Sequence, residues 1–184
     1  MVNTQRFEGA KLIQANFPDD DGTQSPELAA ALTTYAAGGA YGYVDVVRAL
    51  QPSRLLVPVV ALLGEVEYDE NGLAHDKSSD MATVLIQNAA GEKALLAFTS
   101  TDTLQAWNAE ARPVPAPAHV AASSALQEEA TTLLVDVAGP VPFPLSGADL
   151  QGVAAGWELV KVGEEWAWAA PADDLDDDTG SVDS

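Results

Sequence analysis

The chain has 184 residues, with 8 Lys and Arg against 28 Asp and Glu, a net charge of −20, no cysteine and two histidines. Without cysteine there is no disulfide framework, zinc ribbon, thiol nucleophile or iron–sulfur ligation. Charge of this sign repels phosphate backbones and anionic membranes, whose binding relies on Lys and Arg, so nucleic acid and membrane surfaces are set aside as partners.

A hydrophobic content of 47% is that of a globular chain, and this length buries about 70% of the unfolded surface in a single domain. The expected organisation is a flexible segment over residues 1–24, one domain over 25–170 and an acidic, disordered tail over 171–184. The tail carries six of the 28 acids, with Leu175 and Val182 as its large aliphatics. Without those six the body has 22 acids against 8 bases, so it is acidic in its own right. The opening segment lacks an apolar signal-like stretch, and the longest apolar run, Leu55 to Leu63 with Pro58 inside it, falls short of the ~20 residues of a spanning helix. The expected location is the cytoplasm.

Asp19-Asp20-Asp21-Gly22 resembles a calcium loop, but Leu28 stands where an EF-hand places its bidentate Glu, so a turn is expected there. Ser25-Pro26-Glu27 reads as a helix start, with a capping hydroxyl, a proline at the first helical position and an acid that suits the dipole. Leu28, Ala31, Leu32 and Tyr35 follow at helical spacing up to Gly38-Gly39. A second helix spans about Tyr43 to Leu50 and stops before Pro52. Arg54 to Leu63 reads as a buried strand, which Pro58 places at an edge at that point, at a bulge or partly outside the sheet. Glu65 to Tyr68 leads to the hairpin signal Asn71-Gly72. Met81 to Gln87 and Lys93 to Phe98 are expected to pair antiparallel around Gly91.

Thr99 to Asp102 offers caps for a short helix carrying Leu104 and Trp107. Arg112-Pro-Val-Pro-Ala-Pro117 reads as an extended connector. A helix over about His119 to Ala130 leads to the strand Leu133 to Val137. Ser146 caps a helix running to Gly156, and Trp157 to Trp168 forms a hairpin turning at Gly163-Glu164, with Trp166 and Trp168 on one face. The order predicts an α+β (mixed α/β) fold, a central mixed β-sheet covered by helices.

Signatures of catalysis are missing. His75 and His119 form no metal-ligand motif, no serine stands in a nucleophile motif, and Gly38-Gly39-Ala40-Tyr41-Gly42 lacks both the P-loop Lys and Rossmann spacing. No metal or cofactor is expected, and no catalytic residue is assigned. Asp76-Lys77-Ser78-Ser79-Asp80 is unusual in placing one of eight basic residues among acids and hydroxyls just before a strand. It is either a ligand-binding loop or a locally satisfied turn. Arg112 is expected to meet an intramolecular carboxylate and lock its loop. Asp136, costly to bury alone, is expected at a strand end accepting hydrogen bonds.

Leu55-Leu-Val-Pro-Val-Val-Ala61, Asp76-Lys-Ser-Ser-Asp-Met-Ala82, Ala97-Phe-Thr-Ser100 with Trp107, Arg112-Pro-Val-Pro115, and Leu134-Val-Asp-Val-Ala-Gly-Pro-Val141 occur in that order. The series resembles the SseB N-terminal domain family, in its single-domain form, over roughly residues 43–156. The resemblance implies an α/β domain and brings no catalytic residue with it. Its association in enteric bacteria with altered serine sensitivity has no biochemical mechanism attached, and any role of a C-terminal domain is in doubt because only about 28 residues follow Gly156.

Two functions are carried forward, with an unrecognised enzyme as a third. The first is a non-enzymatic interaction or regulatory domain that meets a protein partner through its acidic surface or through Trp166 and Trp168. The second is a small-molecule binding module with Lys77, Ser78, Ser79, Asp80, Thr99, Ser100 and Arg112 around a pocket near the strand ends.

Overall fold

In the computed structural model, the described residues are 17, 20–61, 67–68, 74–75 and 81–171. The loop 76–80, the Asn71-Gly72 turn and the tail beyond Pro171 lie outside them, as do residues 1–16.

Two helices come first. Helix α1 (Pro26–Ala36) starts where Ser25 accepts the Leu28 amide on its side chain, and it buries Leu28, Ala31 and Leu32. Helix α2 (Gly42–Leu50) buries Val46, Val47 and Leu50. Gly42 sits where a Cβ would come within 2.7 Å of the Tyr35 backbone, so glycine lets the two helices meet closely. Residues 20–23 are tied to the domain. The Asp20 carboxylate pairs with Arg54 at 2.5 Å, and the Gly22 carbonyl accepts the Thr101 amide.

Strand β1 (Arg54–Ala61) lies between β4 (Met81–Thr83) and β7 (Arg112–Pro117), antiparallel to both. Strands β2 (Glu67–Tyr68) and β3 (Ala74–His75) form a separate antiparallel pair. A four-stranded mixed sheet runs in the order β5 (Leu85–Gln87), β6 (Lys93–Ala97), β8 (Thr132–Val135), β9 (Phe143–Ser146); only β6 and β8 are parallel. Leu56 and Phe98 exchange backbone bonds of 2.7 and 2.8 Å, joining β1 to the end of β6.

Three expectations change here. The proline segment is a strand, not a connector. Leu56 directs its backbone groups to Phe98, so its β7 neighbour Pro115 is not hydrogen-bonded to it; Pro113 and Pro117, two residues away on either side, share that parity. All three missing N–H groups therefore fall on the outer edge, where a ladder loses nothing. For the same reason β1 is a central strand despite Pro58. Its nitrogen faces away from β7, in the interval between the Phe98 bridge and the start of β4 at Val59. Finally, the stretch expected as one strand over 81–87 divides at Val84. Its first half pairs with β1 and its second with β6, and one ladder cannot serve both neighbours.

The helices α4 (Ala118–Gln127) and α5 (Gly147–Ala154) join α1 and α2 over one sheet face. Leu55, Val57, Leu95, Leu133, Phe143 and Leu145 from the strands meet Leu50, Ala121, Ala122 and Leu150 in this main core. Each fully buried aliphatic of this kind stabilises the fold by about 1.5–3 kcal/mol. The opposite face is covered by the short α3 (Thr101–Trp107), which places Leu104 and Trp107 over Leu56, Leu96 and Phe98. The chain closes with the antiparallel hairpin β10 (Glu158–Val162) and β11 (Glu165–Ala169).

Candidate functional site

The strand register separates the polar residues expected to share a pocket. Arg112 stands opposite Val59 on the β7 side of β1, and Phe98 stands opposite Leu56 on the β6 side. Thr99 and Ser100 continue from Phe98 toward Arg54, so they lie across β1 from Arg112 and more than about 10 Å away along the strand. Lys77, Ser78, Ser79 and Asp80 fall outside the described residues.

Thr99 and Ser100 are also committed to the fold. Thr99 is 1% exposed. Its amide and hydroxyl donate to the Asp136 carboxylate at 2.9 and 2.6 Å, and its carbonyl accepts from Arg54 at 3.0 Å. Asp136 is 2% exposed and takes a left-handed backbone with φ 53 at the end of β8, a conformation Asp tolerates better than most side chains. Ser100 caps α3 reciprocally with Thr103. Arg112 is exposed at the start of β7.

A second set of residues gathers around the terminal hairpin. Gly163, with φ 64, and Glu164 make its two-residue turn. The pairing puts Leu159, Lys161, Trp166 and Trp168 on the inner face and Glu158, Val160, Val162, Glu165, Ala167 and Ala169 on the outer one. Trp168 rests on α5 at Gly152, where a Cβ would lie 2.3 Å from the indole, so only glycine leaves room for the ring. Its Nε1 donates to Asp149 Oδ1 at 3.0 Å, and the Tyr43 hydroxyl donates to the other oxygen of the same carboxylate at 3.0 Å. Burial, followed by that bond to Asp149, pushes the Tyr43 phenol far above its ordinary range. Tyr43, Asp149 and Trp168 thus join α2, α5 and β11.

Trp166 and Trp168 are both half-buried and turned inward, so neither provides the outward aromatic surface expected of them. The Arg48 guanidinium lies 5.3 Å from the centre of the Trp166 ring. The Trp166 indole nitrogen is buried without a hydrogen-bond partner. The exposed tryptophan is Trp157, at 40%, and Val162 at the hairpin tip is 63% exposed. Lys161 reaches over the exposed ring of Tyr41 at 5.9 Å.

Between the start of β10 and the helices runs a groove of about 480 Å³ lined by Arg48, Gln51, Pro52, His119, Val153 and the stretch 156–159. Gln51 spans it by donating its side-chain amide to the Trp157 carbonyl at 2.6 Å. Arg48 also borders a second groove of about 730 Å³ between α1 and α2. Sequence reading missed Arg48, Gln51, Asp149 and Trp157, and it took His119 only as a helix start. Arg48 had one visible mark, being one of eight bases in an acidic chain; the others carry no local signal.

Among the described residues, no His, Asp and Glu cluster has the geometry to hold a metal ion, and no helix is long and apolar enough to cross a membrane. No curated protein and no solved structure matches the chain. The family described as SseB protein N-terminal domain matches residues 28–151, ending on α5 before the hairpin begins. With its five motifs and its helix-covered mixed sheet, the chain belongs to the SseB N-terminal domain family.

Proposed function

We propose that the chain is a non-enzymatic interaction domain of the cytoplasm, meeting a partner protein on the face built by α2 and the terminal hairpin. The observation that carries this reading is the groove beside β10, where an exposed Trp157 and the stacked Arg48 border a cavity on an otherwise acidic molecule. Aromatic and arginine side chains in one concavity are the usual anchors of protein recognition. Val162 at the hairpin tip and Tyr41 at the start of α2 are exposed as well.

The test compares the full chain with Trp157→Ser and Val162→Asp as baits in its native lysate. Both positions are exposed, so the fold is expected to survive. A polypeptide retained by the full chain and lost from both variants supports the reading. Identical capture by all three baits overturns it. Native mass spectrometry of the purified chain distinguishes the small-molecule alternative, which requires a retained adduct of defined mass.

A further inference from the structure

We infer that the groove beside β10 receives an extended, mainly apolar segment of the partner protein, added as a third strand to the hairpin, with one acidic side chain seated at Arg48. The inference rests on the interaction-domain reading and specifies its mode.

The hairpin register fixes which backbone groups of β10 are free. Across a two-residue turn the flanking residues form a hydrogen-bonded pair, so Val162 and Glu165 exchange bonds, and Val160 with Ala167 and Glu158 with Ala169 follow at alternate positions. Leu159 and Lys161 occupy the intervening pairs, and their N–H and C=O groups point away from β11. Trp157 has the same parity, and its carbonyl points at α2, where Gln51 takes it at 2.6 Å. The amide of Trp157 also turns away from β11, to the Gly152 carbonyl. The unpaired edge of β10 thus begins at Leu159, where it borders the groove, and continues past it to Lys161. Among the described residues, no backbone group pairs with Leu159 or Lys161 outside the hairpin.

An unpaired edge beside a cavity is a template for a further strand, with main-chain bonds supplying affinity and side-chain pockets supplying selectivity. The groove wall offers Trp157, Leu159, Val153 and Pro52 to apolar side chains. It also offers charge complementarity to a carboxylate. Arg48 lines it, and the Trp166 ring holds the Arg48 guanidinium in place. Glu158 lines the same groove but belongs by register to the outer hairpin face. A net charge of −20 disfavours a polyacidic occupant, so a single acid in an apolar segment fits best.

The parity supplies a selective test. Lys161→Pro removes an outward N–H and no bond to β11, whereas Lys161→Ala removes the side chain and keeps the N–H. The probe is the capped peptide Val-Thr-Val-Glu-Val-Thr-Val, titrated calorimetrically into the full-length protein. Companion peptides replace its Glu by Gln or its first Thr-Val pair by Pro-Pro, which removes an N–H of each parity, and circular dichroism verifies each variant's fold. The expected result is saturable binding that Lys161→Ala changes less than about threefold and Lys161→Pro weakens at least tenfold, with slower hydrogen exchange at the Leu159 and Lys161 amides. The Gln peptide and Arg48→Gln are each expected to weaken binding about tenfold, and the Pro-Pro peptide not to bind. No binding of the probe, or equal binding by Lys161→Pro and Lys161→Ala, overturns strand addition. Equal binding of the Glu and Gln peptides overturns the carboxylate seat. A native partner captured through Trp157 and Val162 but indifferent to Lys161→Pro leaves the interaction domain standing and removes only this mode.

Discussion

Two polar clusters, built from similar parts, end in opposite states. At the sheet end, Asp20, Arg54, Thr99 and Asp136 form a continuous chain in which Asp136 and Thr99 are almost wholly buried and joined by two hydrogen bonds. At the hairpin, Tyr43, Asp149 and Trp168 form a comparable chain. Beside it, however, Trp166 keeps an unpartnered indole nitrogen, Trp157 stays exposed and a groove remains open. Burial makes an unsatisfied group costly, so the first cluster is closed and structural. The second leaves the Trp166 nitrogen buried without a partner, at that cost, and its exposed Trp157 borders an open groove where the hairpin meets the domain.

Asp136→Ala is the most damaging substitution for the closed cluster. It strands the Thr99 amide and hydroxyl in the interior and puts alanine at a positive φ, so a loss of about 3–5 kcal/mol is expected in urea unfolding. Asp136→Asn keeps an acceptor and tolerates the backbone, and should lose clearly less. A loss below about 1 kcal/mol for the alanine variant would show that the cluster is not a closed structural unit.

Gly152→Ala comes next. Its methyl would collide with the Trp168 ring, and overpacking of this kind costs about 1–3 kcal/mol even though alanine favours the helix by about 1 kcal/mol. Hairpin undocking should red-shift the tryptophan fluorescence before the sheet unfolds, whereas a single coincident transition would argue against two separable regions.

Trp168→Phe removes one donor from Asp149 while Tyr43 keeps the other. A loss of about 1 kcal/mol is expected, read as faster amide exchange confined to residues 158–169.

The smallest effect concerns Glu128, which is 4% exposed, with one carboxylate oxygen lacking a partner. Burial raises its pKa above the ordinary 4.5, opposed by Lys93. The folded state thus favours the neutral acid, so its stability contribution is full below about pH 4.5 and is lost as pH rises through the folded value. Glu128→Gln keeps the neutral form at all pH, and should gain less than about 1 kcal/mol at pH 7 and nothing below pH 4. An equal gain at both pH values would place its origin elsewhere.

Much of the fold was legible in short stretches. Ser25-Pro26-Glu27 announced α1, Gly163-Glu164 announced the last turn, and alternation around them set the hairpin faces. Asp136 was legible as well, because a carboxylate in an apolar strand must find donors. Arg112 with Thr99 and Ser100 misled, because nearness in a list of polar residues says nothing about which side of β1 each occupies. The prolines of β7 misled for a related reason, since their harmlessness depends on the parity set by β1. Likewise, Trp166 and Trp168 could be placed on one face, but not on the inner one.

Most helices and strands, the acidic balance and the family follow from the order of residues, because caps, periodicity, charge and local motifs act over a few residues. That β7 is a strand, that the stretch 81–87 serves two neighbours and that residues 156–159 share a groove with Arg48 and His119 emerges only in the packed chain. Those outcomes depend on pairing register and on the close contact at Gly152, which arise only when distant segments pack and compete for the same hydrogen bonds and space.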